Sequence, residues 1–316
     1  MAQRADDLID RRRLRRKLTF WRALTVVLVA LAIAGIASWF RDDGLSAVSH
    51  IAKVKIEGTI TQDDKLLERL ERIRKSSRVA GVIVQVNSPG GTTTGGESIY
   101  EAIRKIAAEK PVVAEVSTLA ASAGYMIASA TDHIVARQSS IVGSIGVLIQ
   151  YPDVTGLMDK MGIKLEEVKS SPLKAAPSPF KPTTEEERAM VRRLIMDSYD
   201  WFVDLVAERR SLPRDQVLTL ADGSIFTGRQ ALQNKLVDSL GGEDEAVAWL
   251  ESQGVGPDLR VIEWKPSEGA TGLIWSQALA RTVARALGLP EPSGDVLKEL
   301  GMERLFLDGL VSRWHP

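Results

Sequence analysis

No cysteine occurs in the 316 residues, which excludes disulfides, a thiol nucleophile and any cysteine-ligated metal. A net charge of one sign is missing too. The 41 Lys and Arg residues balance 41 Asp and Glu, so no global field draws the chain to nucleic acid. Histidine is scarce, with only His50, His133 and His315. The chain also lacks internal repeats, low-complexity tracts and the Gly-Lys-Ser/Thr ending of a phosphate loop. Nothing in it calls for a cofactor or a metal.

What is present is unevenly spread. Arg11, Arg12, Arg13, Arg15, Arg16 and Lys17 form a basic block, and an uncharged apolar run follows from Ala23 to Phe40. As a helix this run reaches roughly 27 Å, close to a hydrocarbon core of ~30 Å. Trp21 and Trp39 lie at its ends, where indole rings favour the interface. The pattern predicts a single-pass anchor in the inner membrane, with a cytoplasmic N-terminus and a periplasmic domain beyond Arg41. A cleaved secretory signal, cut at Ala32-Ile33-Ala34 or Gly35-Ile36-Ala37, is the other reading. Both readings export the same domain.

The organisation expected is a basic segment 1–22, an anchor 23–40, a linker 41–48, a core domain 49–255 and a C-terminal extension 256–316 of unknown role. Within the core, Ile51 to Ile56, Val79 to Val86, Pro111 to Val116, Ile134 to Ala136 and Val147 to Ile149 read as strands. Leu66, Leu67, Leu70 and Ile73 recur at helical spacing, and helices are expected over 98–108 and 120–130. Alternation of this kind indicates βαβ units and an α/β fold with a largely parallel sheet. Four prolines between Ser170 and Pro182 mark a stiff loop. After it, Thr183 with Glu186 or Thr184 with Glu187 offers a capping box. Val191, Ile195, Tyr199, Phe202 and Val206 form one apolar stripe on the long helix that follows, and shorter helices are expected at 214–220, 228–236 and 243–253.

Serine chemistry on a carbonyl needs an exposed hydroxyl, a base and N–H donors for the oxyanion. Ser122, in Ala121-Ser122-Ala123-Gly124-Tyr125, follows a predicted buried strand and has small neighbours. Tight packing of small residues would explain the same five positions. Asn87-Ser88-Pro89-Gly90-Gly91 ends the preceding strand, and its glycines permit close backbone approach. Loops at the carboxyl ends of parallel strands converge on ligands, so this loop and Ser122 should meet. An ordinary strand-to-helix turn is the competing reading. For the base, His133 neighbours Asp132, but adjacent strand residues point to opposite faces. Lysine is then the candidate, because burial disfavours its charge and frees its amine as a base. Lys160, Lys164, Lys169, Lys174 and Lys181 fall in the right window. Lys174 has the least polar surroundings, and residue types alone choose no further.

VNSPGG (86–91), ASAGYMIA (121–128), VGSIGV (142–147), VKSSPLKAAPSPF (168–180) and GSIFTGRQALQNKLVDSLGG (223–242) together resemble the short form of the bacterial signal peptide peptidase A family. These are serine–lysine peptidases with a crotonase/Clp-like fold, and the resemblance covers roughly residues 50–250. It implies Ser122 as nucleophile, Lys174 as base and Ser144 as the serine that orients the lysine amine. For the oxyanion it implies Gly91, with Gly90 and the N–H of Ala123 as further donors. The Pro-rich surroundings of Lys174, with Ala175 and Ala176 where polar residues are common, depart from the family pattern. The resemblance also implies homo-oligomeric rings whose active sites are completed by neighbouring protomers. Its substrates would be hydrophobic remnant signal peptides at the lipid membrane. Three other readings remain: a crotonase-type acyl-CoA enzyme, a Ser-His-Asp peptidase using His133, and a non-catalytic membrane scaffold.

Overall fold

The computed structural model describes residues 21, 22, 25 and 48–266, and the backbone of 311–313. The chain divides into two units, Met1–His50 and Ile51–Pro316, and the fold is that of the second together with His50. The anchor expected over 23–40 and the linker over 41–48 lie almost wholly outside the described residues. No described helix is long and apolar enough to cross a membrane.

The first half of the chain runs β1 (His50–Glu57), α1 (Asp64–Lys75), β2 (Val79–Ser88), β3 (Gly90–Thr92), α2 (Thr93–Ala107), β4 (Val112–Ala121), α3 (Ala123–Ser129), β5 (His133–Ala136) and β6 (Ile141–Gly143). The second half runs α4 (Thr155–Met161), α5 (Glu185–Arg210), α6 (Arg214–Leu220), β7 (Ile225–Thr227), α7 (Gly228–Gln233), β8 (Ser239–Leu240), α8 (Glu243–Ser252) and β9 (Val261–Glu263). A short β10 (Val311–Arg313) follows. The sheet order is β7-β6-β4-β2-β1-β9, with β5 on β4 and β8 on β5. The β2–β4, β4–β5, β4–β6, β5–β8 and β1–β9 pairs are parallel, and β6–β7 is antiparallel. This is the largely parallel α/β sheet expected. Two boundaries differ. Val147–Ile149 forms no strand, since only Leu148 makes an isolated bridge. Beyond residue 255 the chain still contributes β9, which pairs with β1 through Ile51 and Val261.

Strand periodicity separates two cores. Ala52, Val54, Val82, Val84, Val86, Val112, Ala114 and Val116 join the larger one with α1, α2, α3 and the last turns of α5. Ile51, Ile83, Val113 and Val135 point the other way, onto Ala246 and Leu250 of α8. Each Val, Ile or Leu among them contributes about 1.5–3 kcal/mol on full burial. The face beneath α8 also carries a polar row. Lys53 lies 3.4 Å from Glu115 and ion-pairs with Glu243. Gln85 donates to Glu115 at 3.0 Å. Burial opposes the Lys53 ammonium, but the Glu243 hydrogen bond and the Glu115 charge outweigh it and hold its pKa above the ordinary value.

Strand β4 organises the sheet. One edge follows β2; the other pairs first with β5 (Val113 to Val116) and then with β6 (Leu119 to Ala121). Between the two its register slips, from Val86↔Val116 to Ser88↔Ala120. Ser140 ties the irregular stretch, donating to the Ser117 carbonyl at 2.6 Å and accepting from the Arg137 N–H at 3.0 Å. Beyond this kink, the ends of β2, β4 and β6 come together.

Candidate active site

Ser122 sits where β4 ends and α3 begins, with φ 57° and ψ −121°. Side chains rarely adopt this conformation, and it stores on the order of 1–3 kcal/mol of strain. Two backbone bonds hold the turn: Ser122 N–H donates to Gly143 O at 2.8 Å, and Met126 N–H donates to Ser122 O at 3.0 Å. Close packing fixes it from below. A Cβ on Gly124 would lie 2.9 Å from the Ser88 carbonyl oxygen, and one on Gly96 would lie 3.1 Å from the Ala123 Cβ. A strained strand-to-helix turn of this kind presents a serine hydroxyl at a sheet edge. Ala123, the first residue of α3, has an N–H without an intrahelical acceptor.

The glycine loop is built around Ser88, a buried side chain that sequence reasoning passed over. Its hydroxyl donates to Gly58 O at 2.6 Å and accepts from the Gly90 N–H at 3.1 Å. Gly90 therefore spends its N–H on Ser88, so of the two expected loop donors only Gly91 stays a candidate. Gly90 also needs its positive φ of 103°. Ile60 grips the next stretch, its N–H donating to Gly90 O at 2.9 Å and its carbonyl accepting from Thr92 N–H at 2.8 Å. Alternation along the strand then turns the N–H and C=O of Gly91 toward the opposite edge. A Cβ on Gly91 would fall 1.8 Å from the Ile60 carbonyl oxygen, so no other residue fits.

Ser144, at φ 52°, donates its N–H to Ser224 O at 2.7 Å. It lines the same cleft as Ser122, about 480 Å³ in volume and walled by Ile145, Val147, Leu148, Ile195, Met196 and Tyr199. The α5 side of this wall was legible only as an apolar stripe. The Tyr199 hydroxyl donates to Ala221 O at 2.8 Å, and burial pushes its pKa up. At the rim, the Ser224 hydroxyl and N–H hold Asp222 below the usual carboxylate range. A hydroxyl on a strained turn beside an apolar cleft suits attack on an extended, hydrophobic acyl substrate.

Lys174 does not line this cleft; it is exposed, in the loop between α4 and α5. Two of the other candidate lysines are committed elsewhere, Lys169 to Glu167 at 2.7 Å and Lys181 to Glu187 at 2.8 Å. The Glu187 hydrogen bond raises the Lys181 pKa. Lys160, Lys164 and Lys174 form no ion pair among the described residues.

His133 is far from Ser122. It aligns with Val113 at the start of β4, nine residues before the serine and roughly 30 Å along a strand. Its Nε2 lies 2.9 Å from Ser239 Oγ, and its ring stacks on Trp249 at 5.0 Å. Burial lowers its pKa against the pull of Asp238. It cannot serve the Ser122 of its own chain. Among the described residues no cluster of His, Asp and Glu could hold a metal.

The chain matches the family described as Peptidase family S49 over residues 104–255, and Clp protease over 43–151. A Methanocaldococcus jannaschii protein named provisionally as a protease is 36% identical over 238 residues, covering 75% of this chain and 73% of the relative. A Synechocystis protein, also named provisionally as a protease, is 35% identical over 252 residues, covering 78% and 90%. An Enterococcus faecium protein named provisionally as signal peptide peptidase SppA is 34% identical over 240 residues, covering 74% and 69%. These relatives span the strained serine turn, the glycine loop and the apolar cleft alike, and this chain belongs to the signal peptide peptidase A family of S49 serine peptidases.

Proposed function

We propose that the chain is a membrane-anchored endopeptidase that degrades remnant signal peptides, with Ser122 as nucleophile and Lys174 of a neighbouring protomer as base. The observation that carries the serine is its strained turn on the wall of an apolar cleft, where Ser122 is itself buried. A cleft walled by Ile145, Val147, Leu148, Ile195 and Met196 suits short hydrophobic peptides. The apolar run at 23–40 would hold the enzyme in the inner membrane, with the catalytic domain in the periplasm beside such peptides.

In this mechanism the neutral amine of Lys174 takes the Ser122 proton as Oγ attacks the peptide carbonyl. The Gly91 N–H, with that of Ala123, stabilises the oxyanion. The lysine ammonium then protonates the departing amine, leaving an acyl-enzyme that water hydrolyses with the lysine again as base. Ser144, on the cleft wall, would accept a hydrogen bond from the amine and orient it.

Two features support supply of the lysine by a neighbour. Lys174 is exposed and absent from the cleft lining of its own chain. The segment that carries it also exposes Leu157, Met161, Ile163, Leu165, Val168 and Phe180, with Val168 at 105% of its reference area. Apolar side chains so concentrated fit a surface covered by another copy.

Purified Ser122→Ala and Lys174→Ala proteins test the reading. Each should assemble like the parent and lose turnover of a hydrophobic peptide. Full activity in Lys174→Ala would remove the dyad.

A further inference from the structure

Ser144 leaves β6 in the left-handed region, at φ 52°, directly after Gly143 at φ 106°. A serine there is strained by about 1–2 kcal/mol. Relaxation to a negative φ would swing its hydroxyl off the cleft wall that it lines. A short backbone bond opposes that relaxation, from the Ser144 N–H to Ser224 O at 2.7 Å. Ser224 is exposed and precedes β7, a three-residue strand on the edge of the sheet. So short an edge strand holds its end weakly, and two side chains tie it instead. Asp222 Oδ1 accepts from the Ser224 N–H at 2.9 Å, and the Ser224 hydroxyl donates to the same carboxylate. One residue earlier, the Tyr199 hydroxyl fastens the Ala221 carbonyl to α5 at 2.8 Å. Gly223, at φ 88°, allows the turn between them.

We propose that Asp222 is a positioning residue for peptide hydrolysis: its carboxylate fixes the 222–224 turn and, through the Ser224 carbonyl, holds Ser144 where its hydroxyl meets the Lys174 amine. The inference rests on reading Ser144 as the serine that orients the lysine. It gives the start of the 223–242 motif a task in the reaction, although Asp222 acts only through Ser144. A carboxylate holds N–H and O–H donors about twice as strongly as a neutral acceptor does, which suits a turn exposed to water. A reacting group misplaced by about 1 Å can lose on the order of 10² in rate. Slack at Ser144 therefore shows in kcat more than in KM, because it misplaces the base and leaves the apolar wall standing.

The test compares the full chain with its Asp222→Ala, Asp222→Asn and Ser144→Ala variants and with the double variant Ser144→Ala, Asp222→Ala. Amide exchange at Ser144 should be slow in the parent and faster in Asp222→Ala, whether or not either turns over. With a hydrophobic peptide substrate, Asp222→Ala should lower kcat by roughly 10- to 100-fold, with the smaller change in KM. Asp222→Asn keeps an oxygen for the Ser224 N–H and should recover part of that loss. In the Ser144→Ala background, Asp222→Ala should cost less than about twofold, because the route it acts through is gone. Equal Ser144 exchange in parent and Asp222→Ala would overturn the inference. So would a kcat loss in Ser144→Ala that Asp222→Ala does not share, or that Asp222→Ala adds to in full, the mark of a merely structural role. Parental kcat in Ser144→Ala would overturn the reading of Ser144 itself, and the inference with it.

Discussion

In the proposed mechanism three residues prepare the chemistry: Ser122 by its strained backbone, Gly91 by its missing side chain, and Ser88 by a hydroxyl that bonds on both sides. Strain at Ser122 is sustained because Gly143 and Met126 hold the turn and the small residues of α3 leave it no room to relax. At Gly91 the demand is steric. A methyl on Gly91 would fall 1.8 Å from the Ile60 carbonyl oxygen, so a Gly91→Ala chain must break the Ile60 bridge. If Gly91 is the proposed oxyanion donor, the kcat of that chain should fall by about 10²–10³, and kinetics on protein shown folded by circular dichroism checks this. Ser88→Ala leaves the Gly58 carbonyl and the Gly90 N–H without their partner. Urea denaturation should register a loss of about 1–3 kcal/mol, with a drop in kcat as the glycine loop loosens. Small residues at 121–124 and paired glycines at 90 and 91 were legible in the sequence. The positive φ of Ser122 and the spending of the Gly90 N–H on Ser88 were not, because both depend on neighbours brought in by other strands.

At the scale of elements, apolar–polar alternation made β1 readable, an unbroken apolar, β-branched run made β2 readable, and the Thr184–Glu187 capping box marked the start of α5. Strand β4 was read short, ending at Val116. Its last residues are small and helix-compatible, and only pairing with β6 keeps them extended to Ala121. The short strands β6, β7, β8 and β9 carry too few residues for a period to show. The loop with Lys174 is anchored at its far end by Glu187, which caps α5 and accepts from Lys181. The Lys181 hydrogen bond, and then the Thr184 N–H, hold the Glu187 carboxyl below its ordinary range. A depressed carboxylate contributes stability that is fully present above its unfolded pKa of ~4.3 and is lost as pH falls through the folded value. Hydrogen exchange over residues 162–187 should therefore be flat from neutral pH down to about 5 once corrected for intrinsic rates, and rise below about 4. Glu187→Gln should remove the acid-dependent rise.

For the whole molecule, the sequence singled out Lys174 through family spacing and a weakly polar setting, but not which protomer's serine it serves. In the fold, Lys174 stands on a surface rich in exposed apolar side chains, while Ser122 lies in a cleft that Lys174 does not line. If neighbours complete each other's sites, Ser122→Ala and Lys174→Ala chains should rescue one another when dissociated and reassembled together. In a random equimolar mixture, roughly a quarter of the sites would pair an intact serine with an intact lysine. Activity near that fraction supports sharing between protomers, whereas a mixture as inactive as its components assigns each lysine to its own chain. The apolar stripe of α5 divides its length between two tasks: Phe202 and Val206 are buried, while Val191, Ile195 and Tyr199 are half-buried, the last two on the cleft wall. Leu194 and Met196, which lie off that stripe, are exposed.

The central claim is that Ser122 is the nucleophile. Labelling the assembled wild-type enzyme with a serine-directed phosphonate, then locating the adduct by peptide mass spectrometry, tests it most directly. The account predicts one adduct, on Ser122, and none in Ser122→Ala. Labelling that persists in Ser122→Ala, or an assembled and proteolytically active wild type that takes up no label at Ser122, would contradict it.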